Sequence, residues 1–238
     1  MKIYKLMTHL MLLGTCLAGC ATTDDHPSEK TSQPDMTTLS LEHATDLVVN
    51  HKAAFQSAYL LASQRPAVKQ EITEFGFGIT SDDQEGEIDS VARFYRLPGG
   101  LEYSKHAHTD LVEATIGVFG VTSISYWNGR FPFPFVFDPH QVSLTNGGLF
   151  SVDSGFTLET KYSSQQLVET CQLLEDIPAN SIHRKLNGRA AVFQCTAAPL
   201  DVKYKLWYLA DYARYVNFEI YAEDHLQAAI RIKDVKFK

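Results

Sequence analysis

His106-Ala107-His108-Thr109-Asp110 is the one run in this chain with metal-ligand spacing. On an extended segment, residues two apart point the same way, so both imidazoles and the Asp110 carboxylate share a face. Two nitrogen ligands and a carboxylate, with coordination positions left open, could hold zinc and activate a water. His140 and His183 are candidates for a third protein ligand. The alternative is a solvated loop beside "PGGLEYSK". Nucleophilic chemistry has less to stand on. There is no Gly-x-Ser-x-Gly elbow and no phosphate-cradling glycine loop. Asp153 and Ser154 are adjacent, and adjacent residues on a strand face opposite ways. Cys171 or Cys195 with His183 could be drawn as a thiol–imidazole pair.

The histidine run resembles the opening of the His-x-His-x-Asp-His motif of metallo-β-lactamase-fold hydrolases. The resemblance implies a metal-dependent hydrolase using His106, His108 and Asp110, with zinc as cofactor. Leu111 stands where that motif places the second-metal histidine, and the family's αββα pattern is not evident in the chain.

Two aromatic stretches are candidates for binding. In "GRFPFPFVFDPH", Phe131, Phe133, Phe135 and Phe137 share parity, with Pro132 and Pro134 between them. Proline cannot donate to a ladder, so this is an edge strand or an extended polyproline-like segment. It could line a groove for a lipid, glycan or peptide, form a patch for a partner protein, or plug the core. Tyr204, Tyr208, Tyr212, Tyr215 and Tyr221, with Trp207, are expected as strand formers, with Lys203 and Lys205 on the wet face.

The leader reads as an export signal. Lys2 and Lys5 precede a short apolar stretch, too short for the ~20 residues of a membrane-spanning helix. It ends in Leu17-Ala18-Gly19-Cys20, which resembles the lipobox of bacterial lipoproteins. That resemblance implies cleavage before Cys20, a diacylated Cys20 thiol and attachment to a lipid bilayer. Two or three acyl chains anchor stably, at about 0.8 kcal/mol per buried CH₂. Ala21 stands where an aspartate commonly retains such proteins at the inner membrane, which implies the outer membrane, with the periplasmic face expected. Cys16 leaves with the leader and Cys20 carries lipid. Cys171 and Cys195 then remain as a pair in an oxidising compartment, and a disulfide is expected between them.

The full chain carries a formal charge of −7; the leader contributes two lysines and no acid. An acidic chain without a lysine–arginine run lacks the footprint that phosphate binding needs, which excludes nucleic acid as the expected partner. Residues 21–38, "ATTDDHPSEKTSQPDMTT", are polar and proline-containing. With the anchor they form a 20–38 tether of roughly 20–25 Å reach. Residues 39–238 are expected as one α+β domain, an antiparallel sheet backed by a few helices.

A helix is predicted from Ser40 to just before Arg65-Pro66, with Ala44, Leu47, Val48, His51, Phe55, Ala58 and Ala62 at helical spacing. Strands follow. Phe75, Phe77 and Ile79 alternate, and "SVARFYRL" is a candidate return strand. Residues 112–126 hold one parity, with Gly117 and Gly120 as bend points. "TNGG" and Asn187-Gly188 read as hairpin turns. Ser163 to Gln166 suggests a capping box opening a second helix through Leu167, Cys171 and Leu174. "EDHLQAAIRIKDVKFK" could start as a helix and finish as a strand. The order "LNGRAAVFQCTAAP…VKYKLWYLAD…YVNFEIYAED" resembles the closing half of PsbP-like α+β domains, implying two long antiparallel strands and a final helix.

The expected function is that of an outer-membrane-anchored envelope lipoprotein, a non-catalytic module binding an envelope protein or small ligand. The metal-dependent hydrolase is the alternative.

Overall fold

The computed structural model describes residues 40–82, 84–107, 112–120, 122–128, 141–161, 166–222 and 224–238. The leader, Cys20 and the tether lie outside these residues, as do His108, Asp110, His140 and Phe131 to Phe137.

Two short helices come first, α1 (Leu41–Asn50) and α2 (Gln56–Ala62). Twelve strands follow: β1 (Ile72–Ser81), β2 (Gln84–Arg96), β3 (Glu102–Ala107), β4 (Val112–Val118), β5 (Thr122–Asn128), β6 (Gln141–Gly147), β7 (Phe156–Lys161), β8 (Gln166–Pro178), β9 (Arg189–Ala198), β10 (Val202–Leu209), β11 (Arg214–Ala222) and β12 (His225–Phe237). All belong to one sheet in the order β5-β4-β3-β2-β1-β12-β11-β10-β9-β8-β7-β6. Every pairing is antiparallel. This corrects the α+β expectation: the sheet dominates the fold.

The sheet has the order of an up-and-down meander whose two edges, β5 and β6, are consecutive in sequence. The sheet coils strongly, because distant parts of the order meet. The Tyr215 N–H of β11 donates to the Phe119 carbonyl in the β4–β5 turn at 3.0 Å. Gly120 follows at φ +80, and a Cβ there would stand 2.3 Å from the Tyr215 oxygen. The helices occupy the space between the two arms. Phe55, Ala58 and Leu61 join one buried cluster with Tyr103 and Ile116 of β3 and β4, and with Val142, Phe193, Tyr204 and Tyr208 of β6 to β10. The Val142 N–H of edge strand β6 donates to the Ser57 hydroxyl of α2 at 3.0 Å. A side chain thus takes up an edge donor that would otherwise invite another strand. A second cluster joins Phe75, Phe77, Ile232 and Val235 of β1 and β12 to Leu209, Tyr212 and Val216, with Leu186 from the connection after β8.

Four local expectations change. The first helix is two, broken by a turn at 51–55, where i→i+3 bonds link Ala54 to His51 and Gln56 to Ala53. Ser40 caps it as expected, accepting from the His43 N–H. The helix expected after Ser163 is β8. Leu167 and Cys171 are four apart, which suits a strand face as well as a helix face; Leu174 separates the two and is 50% exposed. The chain also ends as β12 throughout, without the helix expected there or the final helix of the PsbP-like resemblance. Pairing with β11 and β1 overrides the helix propensity of Leu226 to Ala229. The two hairpin signals sit at the ends of longer connections. Gly147, at φ +76, closes β6, and the chain runs through 148–155 before β7; Gly188 closes a connection that begins at Ala179.

The 112–126 stretch bends at Gly120 as expected, separating β4 from β5. Tyr204, Tyr208 and Tyr215 enter the core, and Lys203 and Lys205 alternate with them, paired to Asp224 and Glu219. No described helix is long and apolar enough to cross a membrane.

Candidate functional site

In an antiparallel meander, alternate connections fall at the same end of the strands. One end carries the β3–β4 connection, the departure from β5 at Asn128, the entry to β6 at Gln141, and the β7–β8, β9–β10 and β11–β12 connections. His106, near the last residue of β3, stands at this end.

The opposite end is packed shut around the β4–β5 turn. The Arg65 guanidinium lies 3.9 Å from the Phe119 ring centre and that of Arg96 4.5 Å. Arg65 also donates to both Glu71 oxygens and to the Tyr212 and Ala213 carbonyls. Arg214 forms a bidentate pair with Glu102, both side chains almost wholly buried at 2% and 6% exposure. Its guanidinium stacks 3.8 Å from the Phe94 ring.

At the first end, one sheet face of β6 to β10 is mostly apolar and, among the described residues, carries the Glu169 carboxyl. Register places Leu144, Leu158, Glu169 and Ala197 side by side across β6 to β9. The next row holds Phe156, Cys171, Cys195 and Tyr204. Tyr204, 7% exposed, donates its hydroxyl to Glu169 Oε1 at 2.7 Å. Ala197 presents only a methyl between them, which leaves the phenol room to cross β9. Burial raises the Glu169 carboxyl above the usual carboxylate range, and the Tyr204 hydrogen bond only partly opposes this. Burial likewise pushes the Tyr204 phenol well above its ordinary value. Thr160, diagonal to Glu169 on this face, is 1% exposed, and its Oγ1 has no hydrogen-bond partner among the described residues.

The expected disulfide is present. Cys171 and Cys195 are direct cross-strand partners on β8 and β9, with Cα atoms 4.0 Å apart. Neither is then a thiol for a Cys–His pair. His183 sits in the connection after β8, where its Nδ1 accepts from the Lys185 N–H at 3.3 Å. Of the metal run, His106 alone is described as a side chain within a strand. It is half-buried on β3, with its ring edge-on to Phe94 at 6.4 Å. Among the described residues no group of three His, Cys, Asp or Glu could hold a metal ion.

Sequence reasoning missed Glu169 because the helix reading of 163–174 hid it. Read as a strand, Leu167-Val168-Glu169-Thr170-Cys171 places one acid between two core residues, which is the available signal. The Glu102–Arg214 pair joins residues 112 apart and leaves no local pattern. Comparison with protein families, with curated proteins and with solved structures finds no match to this chain.

Proposed function

We propose that this protein is a lipid-anchored, cell-envelope binding module without catalysis, held at the outer membrane by acylated Cys20 and taking a ligand or partner at the Glu169 end of its strands. The observation that carries the binding reading is the Glu169–Tyr204 pair set in an apolar sheet face. A binding site of this kind is mostly apolar, with a few polar groups that orient what enters. The Leu17-Ala18-Gly19-Cys20 motif and Ala21 support the anchor. The Cys171–Cys195 bond suits an oxidising compartment. The acidic chain, without a basic run, argues against nucleic acid.

Metabolic labelling with an alkyne-bearing palmitate tests the anchor. Label is expected on the wild-type chain and absent from Cys20→Ala, with the wild type floating in the outer-membrane fraction. Photo-crosslinking in cells from position Leu144 tests the module. A reproducible protein or lipid adduct is expected, lost when the crosslinker moves to Lys236 on the charged face. An unlabelled wild type refutes the anchor; equal adducts from both positions refute the site.

A further inference from the structure

Several strand carboxylates of this fold are met by cations. Glu71 meets Arg65 and Arg96, and Glu74 meets Arg93 and Lys236. Glu87 meets Arg231 and Lys233, Glu102 meets Arg214, and Glu219 meets Lys205. Glu169 differs. Its hydrogen bond comes from a neutral phenol, and no lysine or arginine of the described residues acts on it. Its surroundings, Leu158, Leu167, Cys171 and Ala197, are buried and apolar. Glu169 is half-buried, and a carboxyl held partly out of water without a countercharge is costly to keep in a sheet face that a leucine or valine would fill. Half-buried Leu144, two strands away in the same row, and half-buried Leu200, in the β9–β10 turn, keep apolar surface open at the same end of the strands.

We propose that Glu169, held by the Tyr204 hydroxyl, is the seat for an ammonium group carried on an otherwise apolar ligand, whose hydrocarbon part packs on Leu144 and Leu200. The ammonium supplies the countercharge that the fold withholds, and its remaining N–H groups reach the carboxylate oxygens as charge-assisted hydrogen bonds. The ligand class is a long-chain amine or aminolipid. A neutral chain of equal length fills the apolar surface and leaves the carboxyl unmatched. The inference deepens the binding-module reading and rests on it.

The test uses the full mature chain at pH 7, with decylamine and decanol titrated calorimetrically below their aggregation limits. The wild type is expected to bind decylamine roughly tenfold or more tightly than decanol, the scale of one hydrogen bond to a charged group. Glu169→Gln keeps the side-chain shape and the Tyr204 hydrogen bond, and is expected to bring the ratio to about one. Glu85→Gln removes an exposed acid elsewhere and is expected to keep the wild-type ratio, which separates the seat from general attraction to an acidic chain. Tyr204→Phe is expected to lower the ratio while leaving decanol binding in place. Equal affinity for both probes in the wild type, no binding of decylamine, or an unchanged ratio in Glu169→Gln overturns the proposal. The wild-type comparison stands even if a variant does not fold. Failure here leaves the Cys20 label and the Leu144 adduct untouched, so the seat and the anchored module fail separately.

Discussion

The buried Glu102–Arg214 pair makes a strong demand on stability. Glu102→Gln removes the charge and keeps the shape. Arg214 then holds a full positive charge at 2% exposure, with Nε already lacking a hydrogen-bond partner among the described residues and the Phe94 face as a remaining neighbour. A cation over a ring is worth about 0.5–2 kcal/mol, too little to replace a carboxylate. Arg65 and Arg96 flank the adjoining Phe119 ring, and their own acid, Glu71, is committed to them. Removing one partner of a buried pair costs about 3–5 kcal/mol. With a urea slope of about 2.5 kcal/mol per molar, the midpoint falls by roughly 1.2–2 M. Arg214→Met leaves Glu102 uncompensated and is expected to cost as much. The double variant Glu102→Leu/Arg214→Met removes both charges and is expected to recover most of the loss, within about 1–2 kcal/mol of wild type. The assay is equilibrium urea unfolding followed by tryptophan fluorescence and circular dichroism. A loss under about 1 kcal/mol for Glu102→Gln, or a double variant as unstable as the sum of the singles, refutes the reasoning.

Three further expectations follow from the same geometry. Cys171→Ala/Cys195→Ala, which opens a link between residues 24 apart, is expected to lose about 3.5 kcal/mol in the chain-entropy account, read by the same urea titration. Gly120→Ala places a Cβ against the Tyr215 carbonyl at φ +80. It is expected to cost about 1–3 kcal/mol and to free the Tyr215 amide to hydrogen exchange, whereas an unchanged exchange rate would show that the turn does not hold β11. Because burial raises the folded-state Glu169 carboxyl, the folded state holds that proton longer than the unfolded chain. The associated stability is full below the unfolded value and drains away as pH rises through the folded one. Unfolding titrations from pH 4 to 8 are therefore expected to show a fall for the wild type that Glu169→Gln lacks; parallel curves would count against it.

Much of the strand content was legible, because period-two alternation is a property of short windows. Val202 to Tyr208 reads as a strand from its residues alone, and burial follows that parity. The disulfide was legible from the expected compartment and the cysteine count. The fold class was not. Leu167, Cys171 and Leu174 satisfy a helical stripe, and Leu226 to Ala229 are good helix formers; what decides both is the neighbouring strand, which lies outside the window. The site shared this fate, since Glu169 stands out only once 166–178 is a strand. The closed end was hidden for another reason. Arg65, Phe119 and Arg214 are assembled by coiling of the whole sheet, and no spacing rule joins them.

The sheet is zipped down its middle by β1 and β12, the first and last described strands, paired from Ile72 with Phe237 to Ser81 with Ala228 across two register shifts. The Lys238 N–H even donates to the Glu71 carbonyl at 3.0 Å. Each arm on either side is a run of local hairpins that can form as the chain emerges. The joint between the arms must wait until residues 225–237 have been made. The search to close that joint spans most of the polypeptide, so assembly is expected to be slow, with two preformed arms docking late. Until then each arm exposes a long unpaired strand, and a chain cut before β12 would be left with β1 and β11 as open edges ready to pair with other molecules.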